Sequence, residues 1–225
     1  MKNFYTHIKR EIDKKILKIK FLKFKKDNSL LTSNDLSIQK TIINVIKKYF
    51  PRVKQFICEE NFKKNKFKNL NFNKPFAVID PIDGTENFFA ENHLYGTLIS
   101  INDFDNQVDI IYLPALNIFI NRDNLSLFKK KSNHNNNLIS ISSKCLKYNK
   151  FKKSNYRVFG SSAYSFYSIL AGKLKSFIYC DGAKLWDYYC GIRLAKIAGL
   201  KINFYQKKFD LNKPSLKLKF IVEWK

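Results

Sequence analysis

Residues 80–88 read Asp80-Pro81-Ile82-Asp83-Gly84-Thr85-Glu86-Asn87-Phe88, and they are the most informative segment of the 225-residue chain. The apolar run that ends at Asp80 predicts a buried strand that delivers an acidic side chain at its end. Pro81 and Gly84 favour a tight turn, so that two carboxylates three residues apart converge with a freed backbone carbonyl. Hard oxygen ligands of this kind suit Mg2+. The stretch therefore predicts a metal site at a strand end.

Further acidic residues stand at the ends of other predicted elements. Glu59 and Glu60 follow the short apolar run Gln55–Cys58, and Asp187 opens a predicted helix directly after Trp186. Taken singly, each has an ordinary structural explanation as a turn residue, a solvated pair or a helix cap. Their joint occurrence in a chain with 18 acidic residues favours one shared site.

Residues 80–88 match the D-P-(I/L)-D-G-T-x-N-F motif of the inositol monophosphatase family at every defined position, and the sequence resembles that family. Its superfamily includes the fructose-1,6-bisphosphatases and the 3′(2′),5′-bisphosphate nucleotidases. Four more segments resemble family motifs in the same order and at similar spacing: Thr32–Asp35 (T-x-x-D), Cys58–Glu60 (G-E-E), Arg157–Ala163 (R-x-x-G-(S/T)-x-A) and Trp186–Gly191 (W-D-x-A-A-G). The resemblance covers about residues 1–205.

The resemblance implies an α+β fold, a layered α/β/α/β/α sandwich. We expect a single unit over residues 1–225, with an N-terminal half at about 1–135 and a C-terminal half at about 136–225. It also implies two or three Mg2+ ions at the junction of the halves. The implied metal ligands are Glu59, Asp80, the Ile82 carbonyl, Asp83 and Asp187.

The resemblance further implies the residues that act on the substrate. The implied catalytic residues are Asp35, Thr85 and Glu59, with Asp35 and Thr85 paired to orient and deprotonate the attacking water. The implied substrate-binding residues are Gly84, Thr85, Gly160, Ser161, Ser162, Asp181 and Asp187. Cys180 stands where the inositol phosphatases carry a Glu that contacts sugar hydroxyls, which makes the neighbouring Asp181 the candidate replacement.

The predicted activity is Mg2+-dependent hydrolysis of a small phosphate monoester by metal-activated water. Inositol or another polyol phosphate is the default substrate. A bisphosphate nucleotide and histidinol phosphate are the enzymatic alternatives, because the superfamily shares the metal site. A non-enzymatic alternative is a regulatory or RNA-binding protein on a phosphatase scaffold.

The net charge of +24 and the pI near 9.8 would ordinarily suggest nucleic acid as a partner. Here Lys is spread along the whole chain together with Asn, Ile and Phe, all residues with A/T-rich codons. No RNA-binding signature or Arg-rich stripe accompanies the charge. We therefore expect a small phosphorylated substrate rather than nucleic acid, and long-range steering of that substrate by the positive charge.

No segment is apolar over the length that a membrane span needs, and the N-terminus lacks the apolar run of a secretory signal. We therefore expect no membrane partner and a cytoplasmic location. The four cysteines are widely spaced and form no CxxC pair, which predicts reduced thiols. The family resemblance suggests a homodimer.

Hydrophobic periodicity predicts the elements around these motifs. Apolar residues at spacings of three and four predict a helix over 4–22, and N-cap residues at 33–35 open a second helix that stops before Pro51. Helices are also predicted over 162–172 and 186–198. Apolar runs predict strands at 55–58, 76–80, 95–101, 108–113, 117–121, 138–142, 156–159, 176–180, 201–205 and 216–222.

Overall fold

The computed structural model describes residues 1–16, 21–24, 30–60, 70–128, 137–147, 155–205 and 217–224. The α-helices within these ranges are α1 (Lys2–Ile16), α2 (Ser33–Tyr49), α3 (Thr85–Phe89), α4 (Leu125–Phe128), α5 (Ser162–Leu170) and α6 (Leu185–Ile197). Short 3-10 helices span Pro114–Leu116 and Ser143–Lys147. The strands are β1 (Phe21–Phe24), β2 (Leu30–Thr32), β3 (Gln55–Cys58), β4 (Phe76–Asp83), β5 (Gly96–Asp103), β6 (Asn106–Leu113), β7 (Ile118–Asn121), β8 (Ile139–Ile141), β9 (Tyr156–Arg157), β10 (Ser176–Lys184), β11 (Lys201–Phe204) and β12 (Lys217–Glu223).

The described strands form two five-stranded sheets and a small hairpin of β1 and β2. The first sheet has the order β3-β4-β5-β6-β7 and is antiparallel except for the parallel pair β3–β4. The second has the order β11-β12-β10-β8-β9, with parallel pairs around β8 and antiparallel pairs around β12. All eight residues of β4 are buried, as a strand covered on both faces requires.

The helices and sheets alternate in layers. Helices α1 and α2 cover one face of the first sheet, and their apolar faces enclose one hydrophobic core. Helices α5 and α6 lie between the two sheets and fill a second, larger core. On the outer face of the second sheet, a small cluster around Ile141 lies against the 3-10 helix Ser143–Lys147. This arrangement confirms the predicted layered α+β fold.

The first two helices differ from the sequence prediction at their ends. The predicted helix over 4–22 is wrong at its C-terminal end, because α1 stops at Ile16 and residues 21–24 pair with β2. The N-cap of α2 is Thr32, one residue earlier than predicted, and it forms a capping box with Asp35. Residues 17–20, which the predicted helix also covers, lie outside the described residues.

Helix α6 is held firmly against the first sheet. Asp109 of β6 is fully buried, and its carboxylate pairs with Arg193 of α6 (Nε–Oδ1 3.2 Å) and with Arg122 (Nε–Oδ2 2.6 Å). On the side facing α5, a Cβ at Gly191 would lie 2.1 Å from the ring of Phe166, so only glycine lets the two helices approach so closely. These contacts fix the position of the helix that carries Asp187.

The prediction of four reduced cysteines is wrong for one pair. Cys145 and Cys180 form a disulfide, whereas Cys58 and Cys190 remain buried thiols. The 35-residue separation of the bonded pair gives no local sequence signal, and it is the folding of the second sheet that brings them together. Across the part of the chain that the structure covers, each helix is too short or too polar to cross a membrane.

Candidate active site

The acidic residues singled out from the sequence meet at a cavity of about 250 Å³. Its floor is formed where β4 leaves the first sheet, and its opposite wall comes from the end of β8, the first half of β10 and the start of α5. The lining residues are Leu30, Glu59, Asp80, Ile82, Asp83, Gly84, Thr85, Glu86, Ile141, Ser142, Ser143, Gly160, Ser161, Ser162, Ser165, Phe177, Tyr179 and Asp187.

Three aspartates form a compact cluster in this cavity. One carboxylate oxygen from each of Asp80, Asp83 and Asp187 lies within 4.8 Å of the others. Glu59 lines the same cavity and acts electrostatically on all three. Acidic side chains gathered in this way repel one another unless protons or cations compensate them.

Asp83 is fixed by the loop that leads into α5. Its Oδ2 accepts hydrogen bonds from the Ser161 hydroxyl and from the backbone N–H of Ala163 at 2.7 Å. Burial raises the pKa of Asp83 to about 6, although these hydrogen bonds act in the opposite direction. The carboxylate from the first sheet thus holds the N-terminus of a helix in the C-terminal part of the chain.

Asp187 is fixed by the start of its own helix. Its Oδ2 accepts from the backbone N–H of Lys184 at 2.8 Å, and the Tyr179 hydroxyl lies 3.4 Å from the same oxygen. Burial, followed by repulsion from Glu59 and Asp83, raises the pKa of Asp187 to about 8. Without a cation, this carboxyl group is therefore largely protonated at neutral pH.

Asp35 and Thr85 form the predicted pair. Asp35 is fully buried, and its Oδ1 accepts from the Thr85 hydroxyl at 3.3 Å. The same hydroxyl lies 3.0 Å from the Ile82 carbonyl. Asp35 Oδ2 accepts from the Thr32 backbone N–H at 2.7 Å, so the first turn of α2 sets the orientation of the carboxylate.

The turn at residues 84–87 is also hydrogen-bonded to the segment that precedes α5. The Asn87 side-chain amide donates to the carbonyls of Leu94 and Phe159, both at 2.7 Å. Gly84 has φ +82°, and a Cβ there would lie 3.1 Å from both the Leu94 carbonyl oxygen and the Ser161 Cβ. The asparagine and glycine of the motif are therefore required by backbone geometry as well as by chemistry.

The donor set fits a divalent cation. Asp80 is buried, and its Oδ1 has no hydrogen-bond partner among the described residues. Burial, together with Glu59, Asp83 and Asp187, raises the pKa of Asp80 well above its ordinary value. A buried carboxylate oxygen without a donor is costly, and coordination to a hard cation would compensate it.

The structure brings together most of the predicted site residues and leaves one apart. Asp181 is not among the lining residues; its carboxylate pairs with Lys147 and lies 3.9 Å from Lys219. Asp35 reaches the site through its contact with Thr85. Ser142, Ser143 and Tyr179 line the cavity but were missed from the sequence, although the position of the two serines directly after β8 offered a signal.

The raised pKa values predict how pH affects the metal-free protein. Because the folded-state pKa of Asp187 is about 8 against an ordinary 3.8, its stabilising contribution is complete below about pH 4 and is lost as pH rises through about 8. Asp187→Asn removes this titration, so in EDTA at about pH 8.5 the variant should melt roughly 2–6 °C above the wild type. Near pH 5 the difference should shrink.

Thermal denaturation of both proteins across this pH range, with EDTA and with excess Mg2+, checks the prediction. Mg2+ should reverse the order at high pH, because the wild type gains more from the cation. A difference in melting temperature that does not change with pH would show that Asp187 carries no buried charge.

Solved structures share this fold at low sequence identity. An IMPase/NADP phosphatase complexed with Mg2+ and phosphate is 18% identical with a TM-score of 0.78, and the match covers 99% of this chain and 88% of that one. The suhB protein of Bartonella henselae is 16% identical with a TM-score of 0.75, covering 100% and 93%. The Thermotoga maritima IMPase is 20% identical with a TM-score of 0.71, covering 99% and 92%.

These solved structures show the fold, and the family model places the chain among the phosphoric monoester hydrolases. The family is given by the sequence itself. The model of the inositol monophosphatase family matches residues 2–120, more than half of the chain, and the chain belongs to that family. No curated protein matches the sequence at a significant level.

Proposed function

We propose that this protein is a Mg2+-dependent phosphomonoesterase that hydrolyses a small phosphorylated metabolite. The observation that carries the proposal is the buried Asp80 carboxylate, whose Oδ1 has no donor among the described residues and which lies in a cluster with Asp83 and Asp187. A protein without a cation or a phosphate to bind would gain nothing from such a costly arrangement. The cluster opens into a cavity with room for a small ligand.

Four carboxylates, Glu59, Asp80, Asp83 and Asp187, and the Ile82 carbonyl would hold two or three Mg2+ ions. Bound Mg2+ would neutralise phosphate charge and lower the pKa of a coordinated water. The chain itself supplies the remaining parts. Phosphoryl transfer needs mainly positioning and charge neutralisation, and a cavity walled by fixed side chains provides the positioning.

The Asp35–Thr85 pair would act on the attacking water. The Thr85 hydroxyl donates to Asp35 Oδ1, which leaves the hydroxyl oxygen able to accept a hydrogen bond from water. A proton from the water can then pass through Thr85 to the Asp35 carboxylate. The backbone amides of Gly84 and Thr85 stand at the start of α3, where N–H groups favour phosphate oxygens. Ser161 and Ser162 would complete the phosphate-binding wall.

Inositol or another polyol phosphate is the default substrate within this proposal. Solved relatives have been obtained with D-inositol-1-phosphate and with NADP, both small phosphorylated ligands. A bisphosphate nucleotide and histidinol phosphate are the alternatives, because the metal site is common to the superfamily.

A phosphate-release screen tests the function. The purified protein is incubated with inositol, sugar, nucleotide, bisphosphate-nucleotide and histidinol phosphates, in excess Mg2+ and in EDTA. We expect turnover of at least one ester with Mg2+ and none in EDTA. A correctly folded protein that releases no phosphate from any of them in Mg2+ would refute the hydrolase.

An RNA-binding assay with the same purified protein tests the non-enzymatic alternative, a phosphatase scaffold that binds RNA. Binding that depends on phosphate contacts weakens steeply with salt and would survive Asp83→Asn. We expect no such binding at physiological ionic strength. The cytoplasmic location and the homodimer implied by the family resemblance belong to this proposal, and light scattering of the purified protein tests the second of them.

A further inference from the structure

The Cys145–Cys180 disulfide lies directly behind one wall of the candidate active site. Cys145 belongs to the 3-10 helix that follows β8, and Cys180 belongs to β10. Their Cα atoms are 5.2 Å apart, within the range that a disulfide needs. Both side chains are buried in the small cluster around Ile141 on the outer face of the second sheet.

The bond joins two segments that line the cavity. The parallel pairing of β8 with β10 ends at Ile141 and Ile178, where the Ser142 N–H still donates to the Ile178 carbonyl at 3.0 Å. Ser142 and Ser143 then line the cavity, and the chain turns until Cys145 is bonded back to β10. The Ser142 hydroxyl lies 3.4 Å from Cys145 Sγ.

On β10, the residue before Cys180 is Tyr179, which lines the cavity and reaches Asp187. The disulfide therefore links the part of the cavity lined by Ser142 and Ser143 to the part lined by Tyr179. The Cys180 backbone N–H donates to Cys145 Sγ at 3.2 Å, which reinforces the link.

The surroundings of the pair accommodate both redox states. In the reduced state, the Cys145 thiol has the Ile178 carbonyl 3.7 Å away as an acceptor. Next to Cys180, Asp181 faces Lys147 and Lys219, so positive charge exceeds negative charge beside the pair. A cationic environment favours the thiolate that attacks or leaves in thiol–disulfide exchange.

We propose that the Cys145–Cys180 pair is a redox-sensitive modification site that positions the substrate side of the cavity. When the disulfide is formed, it holds Ser142 and Ser143 against Tyr179 and the substrate binds tightly. Reduction releases the segment 142–147 and weakens substrate binding. In a reducing compartment a protein disulfide is typically transient and regulatory, which agrees with this role.

The reducing partner is a dithiol. One of its thiolates attacks a sulfur of the pair, the S–S bond breaks, and the leaving cysteine sulfur takes up a proton. The second thiol of the reductant then attacks the mixed disulfide and releases the other cysteine as a thiol. Two electrons and two protons pass to the protein, and the dithiol becomes a cyclic disulfide.

The kinetic test rests on the proposed function and compares oxidised protein with protein reduced by dithiothreitol, the state of the pair being verified by thiol titration. With the best substrate of the screen, reduction should raise KM about 3- to 10-fold, because two lining side chains must be ordered again on binding. kcat should change by less than about twofold, since Asp35 and Thr85 lie on the other side of the cavity.

A second measurement is independent of activity. The Cys145 N–H donates to the Ser142 carbonyl at 2.8 Å, so amide hydrogen exchange reports on this turn. We expect protection of residues 142–147 in the oxidised protein and faster exchange after reduction. If the protein proves to be no phosphatase, this comparison still decides whether the disulfide positions the wall.

Variants separate the pair from the remaining thiols. Cys145→Ala/Cys180→Ala should show the KM of the reduced enzyme and no response to dithiothreitol, whereas Cys190→Ala should respond as the wild type does. The proposal is overturned if Cys145 and Cys180 stay reduced in the presence of an oxidised dithiol. It is equally overturned if a verified disulfide leaves KM and amide exchange unaffected.

Discussion

Asp83→Asn is expected to lower Mg2+-dependent phosphate release by about 1,000-fold, which corresponds to the several kcal/mol that a correctly held cation contributes to the transition state. Asp83 Oδ2 is already engaged by Ser161 and Ala163. An asparagine has one acceptor oxygen, so it can keep these hydrogen bonds or bind the cation, but not both. We therefore expect the variant to fold and to lose its response to Mg2+.

The matched control is Asp103→Asn. Asp103 is likewise a buried carboxylate of the first sheet, but it pairs with Arg52 and does not line the cavity. Its substitution should reduce stability and leave phosphate release within about threefold of the wild type. If Asp83→Asn kept more than a tenth of the activity, the cluster would not be the catalytic centre.

Asp35→Asn is expected to lower kcat by about 100- to 1,000-fold, the range that a general base contributes. The amide cannot take a proton from the Thr85 hydroxyl, although it preserves the shape of the side chain. Because Asp35 is not among the implied metal ligands, Mg2+ should still raise the melting temperature as in the wild type. Steady-state kinetics and thermal denaturation with and without Mg2+ check the two halves of this prediction.

A cap variant distinguishes catalysis from stability. Asp35 also belongs to the capping box of α2, so its loss weakens that helix. Thr32→Ala removes the other half of the box and should cost about 1 kcal/mol of stability with little change in kcat. Equal kinetic losses in both variants would mean that Asp35 serves only to cap the helix.

The conformation of residues 80–88 was predictable because its information is local. Residues 80–88 combine the end of a buried strand, turn-forming Pro and Gly, and two carboxylates at fixed spacing. The strand at 55–58 was also correct to the residue, since its short apolar run is bounded by polar residues on both sides. In these segments neighbouring residues determine the backbone conformation, so the sequence alone predicts the structure.

The first helix shows where local reading fails. Apolar residues and Lys alternate from Leu17 to Phe21, and a short alternating run suits a strand as well as a helix. Pairing with β2 decides in favour of a strand at residues 21–24. That pairing is a tertiary interaction, and a periodicity of three and four cannot anticipate it.

The substrate side of the site could be predicted least. Ser142, Ser143 and Tyr179 line the cavity because the parallel pairing of β8 with β10 stops at Ile141 and Ile178, and the next residues of both segments lie side by side. The disulfide between Cys145 and Cys180 depends on the same pairing. The order of strands in a sheet cannot be predicted from any single segment, so these contacts are known only once the second sheet is described.

In Asp35, Asp83 and Asp187 the two carboxylate oxygens have different partners, and the arrangement is the same in all three. In each, Oδ2 is bonded to a backbone N–H at the start of a helix, namely to Thr32, Ala163 and Lys184 respectively. The other oxygen is thereby aimed before any ligand arrives. The side chains of these acidic residues lose their conformational entropy during folding, when the helices form. Binding of an ion therefore requires no further rearrangement of these side chains.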